Sequence, residues 1–122
     1  MKKKILVVDD EDMILRIVES RLKANGYNVL TANNGQAAID LAFSNKPDLI
    51  ILDVMMPKMD GPTVAEKLKE NSTTANIPVI FLTALVKKSE ERAQKHIIGG
   101  NYFIAKPFEA TELLATIERI IS

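Results

Sequence analysis

The chain has 122 residues and balances 16 Lys and Arg against 16 Asp and Glu, so no global charge draws it to nucleic acid. That length suits one domain with a core that needs no staple, and the lack of cysteine excludes disulfides, thiolate metal sites and a cysteine nucleophile. The apolar run after Lys2-Lys3-Lys4 stops after four residues at Asp9, too short for a signal peptide, and no stretch approaches the ~20 apolar residues of a membrane span. The expectation is therefore a cytoplasmic protein without a membrane segment.

Ile5–Val8 reads as a first buried strand, closed by Asp9-Asp10-Glu11-Asp12. From Met13 to Asn25, Ile14, Val18 and Leu22 form a helical stripe that Gly26 stops. Tyr27–Ala32 is a more polar strand, suited to an edge. Asn33 and Gln36 suggest a capping box for a helix with Ala38, Leu41 and Ala42 inward, ending before Pro47. Leu49–Leu52 is an unbroken apolar run, the mark of a strand covered on both faces, and it runs straight into Asp53 and the turn-rich Met55–Gly61 segment.

Pro62 suits the first turn of a third helix, which carries Val64, Ala65 and Leu68 inward and gives way to a polar loop at Asn71–Asn76. Pro78–Leu82 is a fourth strand ending at Thr83, and a polar helix runs from about Lys87 to Ile97 before Gly99-Gly100. Tyr102–Ala105 is a fifth strand ending at Lys106-Pro107. A last helix from about Glu109 buries Leu113, Leu114, Ile117, Ile120 and Ile121. Strands and helices alternate five times without linker or repeat, which predicts an α/β fold: a doubly wound parallel sheet with helices on both faces.

On that scaffold Asp9, Asp10, Asp53, Thr83 and Lys106 all fall at carboxyl ends of parallel strands, the edge where open α/β sheets bind ligands. Taken singly, each has a plainer role: Asp9 or Asp10 favouring a helix N-terminus, Thr83 a β-branched strand end, Lys106 a surface lysine. His96 is the sole histidine and sits in a polar stretch, and Met55, Met56 and Met59 suit packing. Together the five groups complement one another. Close carboxylates repel by about 4 kcal/mol per pair at an effective dielectric near 20, and a hard divalent cation relieves that. Oxygen ligands without His or Cys favour Mg2+. A metal, a hydroxyl and an ammonium suit the oxygens of a phosphoryl group, for which Asp53 is the carboxylate nucleophile.

These residues resemble the receiver domains of response regulators, the chemotaxis-regulator-like family of two-component signalling. The matching pieces are Val7-Val8-Asp9-Asp10, Asp53 through Pro57 with Met59-Asp60-Gly61, Thr83-Ala84, and Lys106-Pro107-Phe108. The resemblance covers the chain, 1–122, as one receiver domain. It implies a flavodoxin-like strand order 2-1-3-4-5, and phosphoryl transfer to Asp53 from a histidine kinase or phosphotransfer protein. It further implies Mg2+ held by Asp10, Asp53 and the Met55 backbone carbonyl with Asp9 acting through water, contacts from Thr83 and Lys106 to the phosphoryl group, and a cis Lys106–Pro107 bond. The switch would pass from Thr83 to Phe103 and present the fourth predicted helix, fifth strand and fifth helix to an effector, without direct nucleic-acid binding. Phe103 stands where the family often carries a tyrosine, Tyr102 points to the other face, and Gly99-Gly100 replaces the usual Gly-Ala. Met55 and Leu85 flank the implied path of attacking water, and both are apolar, so slow loss of the phosphoryl group is expected.

Three other functions compete. A haloacid-dehalogenase-like phosphatase with an aspartate nucleophile needs a second acid where Met55 stands. A flavodoxin-like nucleotide or flavin binder needs a Gly-rich loop where the acids follow the first strand. A receiver-like scaffold that works without phosphorylation keeps the fold, yet leaves the complete set of site residues without a use. The expectation from a reading that runs to Ser122 is a stand-alone regulator or the receiver of a larger protein.

Overall fold

The computed structural model describes residues 2–84, 97–98 and 101–121. In chain order these form β1 (Lys4–Val8), α1 (Asp12–Ala24), β2 (Asn28–Ala32), α2 (Gly35–Asn45), β3 (Leu49–Asp53), α3 (Gly61–Lys69), β4 (Val79–Thr83), β5 (Ile97–Ile98), β6 (Asn101–Ala105) and α4 (Ala110–Ile121). Five strands run parallel in the order β2-β1-β3-β4-β6, which is the expected 2-1-3-4-5 arrangement with polar β2 at one edge.

The other edge differs from expectation. Ile97, expected to end a helix, pairs in β5 antiparallel to β6, with Ile97 opposite Tyr102 and Ile98 opposite Asn101. Two β-branched residues favour the extended backbone, and the open side of β6 offers them a ladder. Most of the fourth predicted helix from Lys87, together with Leu85, His96 and Gly99-Gly100, lies outside the described residues.

Period-two alternation divides each strand between two cores. Leu6, Val8, Ile50, Leu52, Val79 and Phe81 pack with Ala38, Ala42, Val64 and Leu68 of α2 and α3. Ile5, Val7, Leu49, Ile51, Ile80, Leu82 and Ile104 pack with Leu15, Val18 and Leu22 of α1 and Leu113 and Ile117 of α4. The central strands are thus apolar on both faces, and β3 and β4 are buried at every position. Tyr102 and Phe103 fall on opposite sides as expected, Tyr102 against the α1/α4 core and Phe103 against the other.

One helix start shifts from the sequence reading and another keeps it. Asn34, not Asn33, caps α2: its side-chain oxygen accepts the Ala37 N–H at 2.9 Å, while Gln36 donates to Asp40 instead of closing a capping box. For α3 the cap is Asp60, which accepts the Thr63 N–H at 2.9 Å and leaves Pro62 in the first turn. Asp60 thereby anchors the loop that follows the end of β3.

Candidate functional site

Sheet register assembles the site. Val8 of β1 is level with Leu52 of β3, Asp53 with Leu82 of β4, and Thr83 with Ala105 of β6. Asp9, Asp53, Thr83 and Lys106 therefore leave the sheet at one edge, on adjacent strands. Backbone bonds continue the ladder past the strand ends: Asp9 N–H to Ala32 O at 3.2 Å, Val54 N–H to Leu82 O at 3.0 Å, and Lys106 N–H to Thr83 O at 2.9 Å. The Lys106–Pro107 bond is cis, as the resemblance implies.

The side chains of Asp9, Asp10, Asp53 and Lys106 converge at this edge. One oxygen from each of Asp9, Asp10 and Asp53 lies within 4.8 Å of the others. Asp9 and Asp53 are buried and Asp10 is exposed, so the cluster opens to solvent on the Asp10 side. Lys106 Nζ reaches in to 2.9 Å from Asp9 Oδ2 and 3.2 Å from Asp53 Oδ1. Thr83 is buried at the end of β4. Met55 is 62% exposed. That corrects its expected packing role, which Met56 and Met59 do fill by joining the α2/α3 core.

Electrostatics mark this edge as strained. Burial, and then the Asp9 charge, lift the Asp53 carboxyl above its ordinary value despite the opposing hydrogen bond and charge of Lys106. Burial pulls the Lys106 ammonium down, yet its hydrogen bonds and charge pairing with Asp9 and Asp53 outweigh this and leave its pKa raised. The donor set consists of hard oxygens, crowded and only partly neutralised by one ammonium. That chemistry fits a Mg2+ ion.

Two contributors, Glu11 and Gly35, escaped the sequence reading, and Gly61 entered it only as part of a matching motif. Glu11, which we read only as part of an acidic cluster, comes within 3.6 Å of Lys106 Nζ. Gly61 packs so closely that a Cβ there would meet the Asp53 carbonyl oxygen, while its N–H donates to Val54 O at 3.0 Å. Gly35 is filled in the same sense by Met59 Sδ, at 2.8 Å from where its Cβ would stand, and this seats the post-β3 loop on α2. An acidic residue two places past a site aspartate, and a glycine after Asp60, are weak local signals. Beneath the site Phe103, half-buried, stacks on Phe81 with ring centroids 5.2 Å apart.

A doubly wound parallel sheet with an acidic pocket, a threonine and a lysine on one strand edge defines the class: flavodoxin-like receivers of signalling proteins. The response regulator receiver domain family matches residues 5–118, and the chain belongs to that family. It is 44% identical over 120 residues to a probable transcriptional regulator, ycf27, of Porphyra purpurea, covering 98% of this chain and 48% of that protein. The chain thus spans about half the length of that curated relative. The chemotaxis protein CheY4 of Vibrio cholerae superposes with a TM-score of 0.85 at 32% identity, covering 98% of this chain and 99% of the other. The receiver domain of sensor histidine kinase PA1611 from Pseudomonas aeruginosa, whose structure has a magnesium ion coordinated in the active site cleft, gives 0.85 at 28% identity over 99% and 98% of the two chains. Receiver domains of this family are signalling switches. No helix among the described residues is long and apolar enough to cross a membrane.

Proposed function

We propose that the chain, 1–122 as one receiver unit, accepts a phosphoryl group on Asp53 from a histidine kinase or phosphotransfer protein. The observation that carries this is the convergence of Asp9, Asp10 and Asp53 with Lys106 on one sheet edge. A carboxylate oxygen of Asp53 attacks phosphorus while the bond from phosphorus to the donor's nitrogen or oxygen breaks, and the electron pair leaves with the donor. Asp10, Asp53 and the Met55 carbonyl would hold Mg2+ directly, with Asp9 acting through water, and a bound ion would offset charge on the phosphoryl oxygens. Lys106 supplies a cation and Thr83 a hydroxyl to those oxygens.

The output passes from Thr83 to Phe103, one strand over in register with Phe81. Burying a phenyl ring supplies about 1.5–3 kcal/mol, whereas a switch from 1:99 to 99:1 needs about 5.5 kcal/mol. Contacts of Thr83 and Lys106 with the phosphoryl group must therefore provide the remainder. The effector surface is the segment after Thr83 together with β6 and α4, and the partner is a protein, not nucleic acid or membrane. Phosphoryl loss is slow, because Met55 beside the site can neither orient nor activate water.

Incubation with a small acyl phosphate and Mg2+ should give a single phosphoryl adduct by mass spectrometry, lost on chelation of the metal beforehand and absent in Asp53→Asn. Equal labelling of Asp53→Asn would remove Asp53 as the acceptor, and a protein that never labels would favour the scaffold reading.

A further inference from the structure

Lys106 is shared by three carboxylates, and the phosphoacceptor reading uses only two of them. Its Nζ lies 2.9 Å from Asp9 Oδ2, 3.2 Å from Asp53 Oδ1 and 3.6 Å from Glu11 Oε1. The second oxygen of Asp9, Oδ1, accepts the Glu11 backbone N–H at 2.9 Å. Glu11 thus touches both partners of one ion pair: its amide orients Asp9, and its carboxylate pulls on the ammonium that Asp9 holds. The Asp9 side chain is fully buried while that of Glu11 is 64% exposed. The two carboxylates therefore mark an inner and an outer position for the same ammonium.

A divalent cation among Asp9, Asp10 and Asp53 repels an ammonium in the inner position. Moving Lys106 outward relieves that repulsion but breaks its bond to Asp9. A carboxylate waiting at the rim lowers the cost of the move. We propose that Glu11 is a positioning residue that draws Lys106 from Asp9 to the mouth of the site as the cation is taken up, and holds it where the phosphoryl group arrives. Glu11 need not touch the cation or the phosphoryl group. The proposal rests on the phosphoacceptor reading.

The test is Mg2+ affinity, followed by backbone-amide chemical shifts in wild type, Glu11→Gln, Glu11→Asp, Lys106→Met and the Glu11→Gln/Lys106→Met double variant. Glu11→Gln should weaken Mg2+ binding by about threefold, the scale of a part-exposed ion pair. Glu11→Asp keeps the charge but shortens the arm, and should weaken binding nearly as much. In the Lys106→Met background Glu11→Gln should change affinity by less than about 1.5-fold, because the group it acts through is gone. Equal weakening with and without Lys106, or wild-type affinity in Glu11→Asp, would mean that Glu11 acts by charge alone and would overturn the proposal. So would unchanged affinity in Glu11→Gln. The Glu11→Asp comparison stands even where Lys106→Met does not fold. A wild-type protein that binds no Mg2+ would refute the phosphoacceptor reading as well, whereas Mg2+ bound alike by wild type and all Glu11 variants would refute the positioning role alone.

Discussion

At the amino edge of the sheet, the Lys4 N–H donates to Asp48 Oδ2 at 2.8 Å and the Asp48 N–H to Lys4 O at 2.7 Å, while Lys4 Nζ reaches Asn45 O at 3.1 Å. At the carboxyl edge Lys106 faces Asp9 and Asp53, with Asp10 and Glu11 close by. Both edges thus set a lysine and an aspartate at the ends of β1, β3 or β6. Asp48 is exposed and accepts from the Lys4 backbone N–H, while the Lys4 ammonium goes to the Asn45 carbonyl. Asp9 and Asp53 are buried, and the acids outnumber the ammonium. The same residue types close the fold at one edge and make a crowded acidic pocket at the other; burial and unequal charge account for the difference.

The largest expected effect breaks that imbalance directly. Asp53→Asn should abolish labelling yet raise stability to urea by on the order of 1 kcal/mol, since it removes one crowded charge while keeping a polar side chain. Lower stability would show that Lys106 already neutralises the pocket. Next comes Gly61→Ala. Its Cβ meets the Asp53 carbonyl and stands 3.0 Å from Val54 Cα, so we expect a loss of about 1–3 kcal/mol and slower labelling in the fraction that stays folded.

Gly26, after α1 at the amino edge, sharpens the contrast. It has φ +88°, and nothing lies within 4 Å of where its Cβ would stand, so Gly26→Ala should cost about 1–2 kcal/mol through backbone conformation alone and leave the labelling rate intact. Asp48→Ala should cost no more than about 1 kcal/mol, again with normal labelling.

The smallest effect belongs to Asp60, an exposed carboxylate at the carboxyl edge. Hydrogen bonds from the Thr63 side chain and backbone hold its pKa below the ordinary 3.8. Its contribution is complete above 3.8, the unfolded value, and is lost as pH falls through the folded one. Asp60→Asn keeps a capping oxygen and should flatten that part of the pH–stability curve, with labelling preserved at neutral pH. A curve of unchanged slope would show that Asp60 gains nothing from its charge.

Much of this protein was legible in the chain itself. Apolar runs such as Leu49–Leu52 and Val79–Leu82 need cover on both faces, so they mark the central strands of a layered α/β fold, and Asp9, Asp53, Thr83 and Lys106 stand where those runs end. Such patterns come from interactions within a strand or a helical turn, so a short window contains them. Smaller local competitions were harder: Asn33 and Asn34 both suit a cap, and only the oxygen of Asn34 reaches the Ala37 N–H. The exposure of Met55, the pairing of Ile97 and Ile98 with β6, and the third partner of Lys106 depended on the assembled sheet. Lys106 is 97 residues from Asp9 and 53 from Asp53, and their separations of 2.9 and 3.2 Å are set by strand register and by how far each side chain is buried. Those distances, and the charges they force together, exist only once β1, β3, β4 and β6 lie side by side, because no local interaction along the chain carries them.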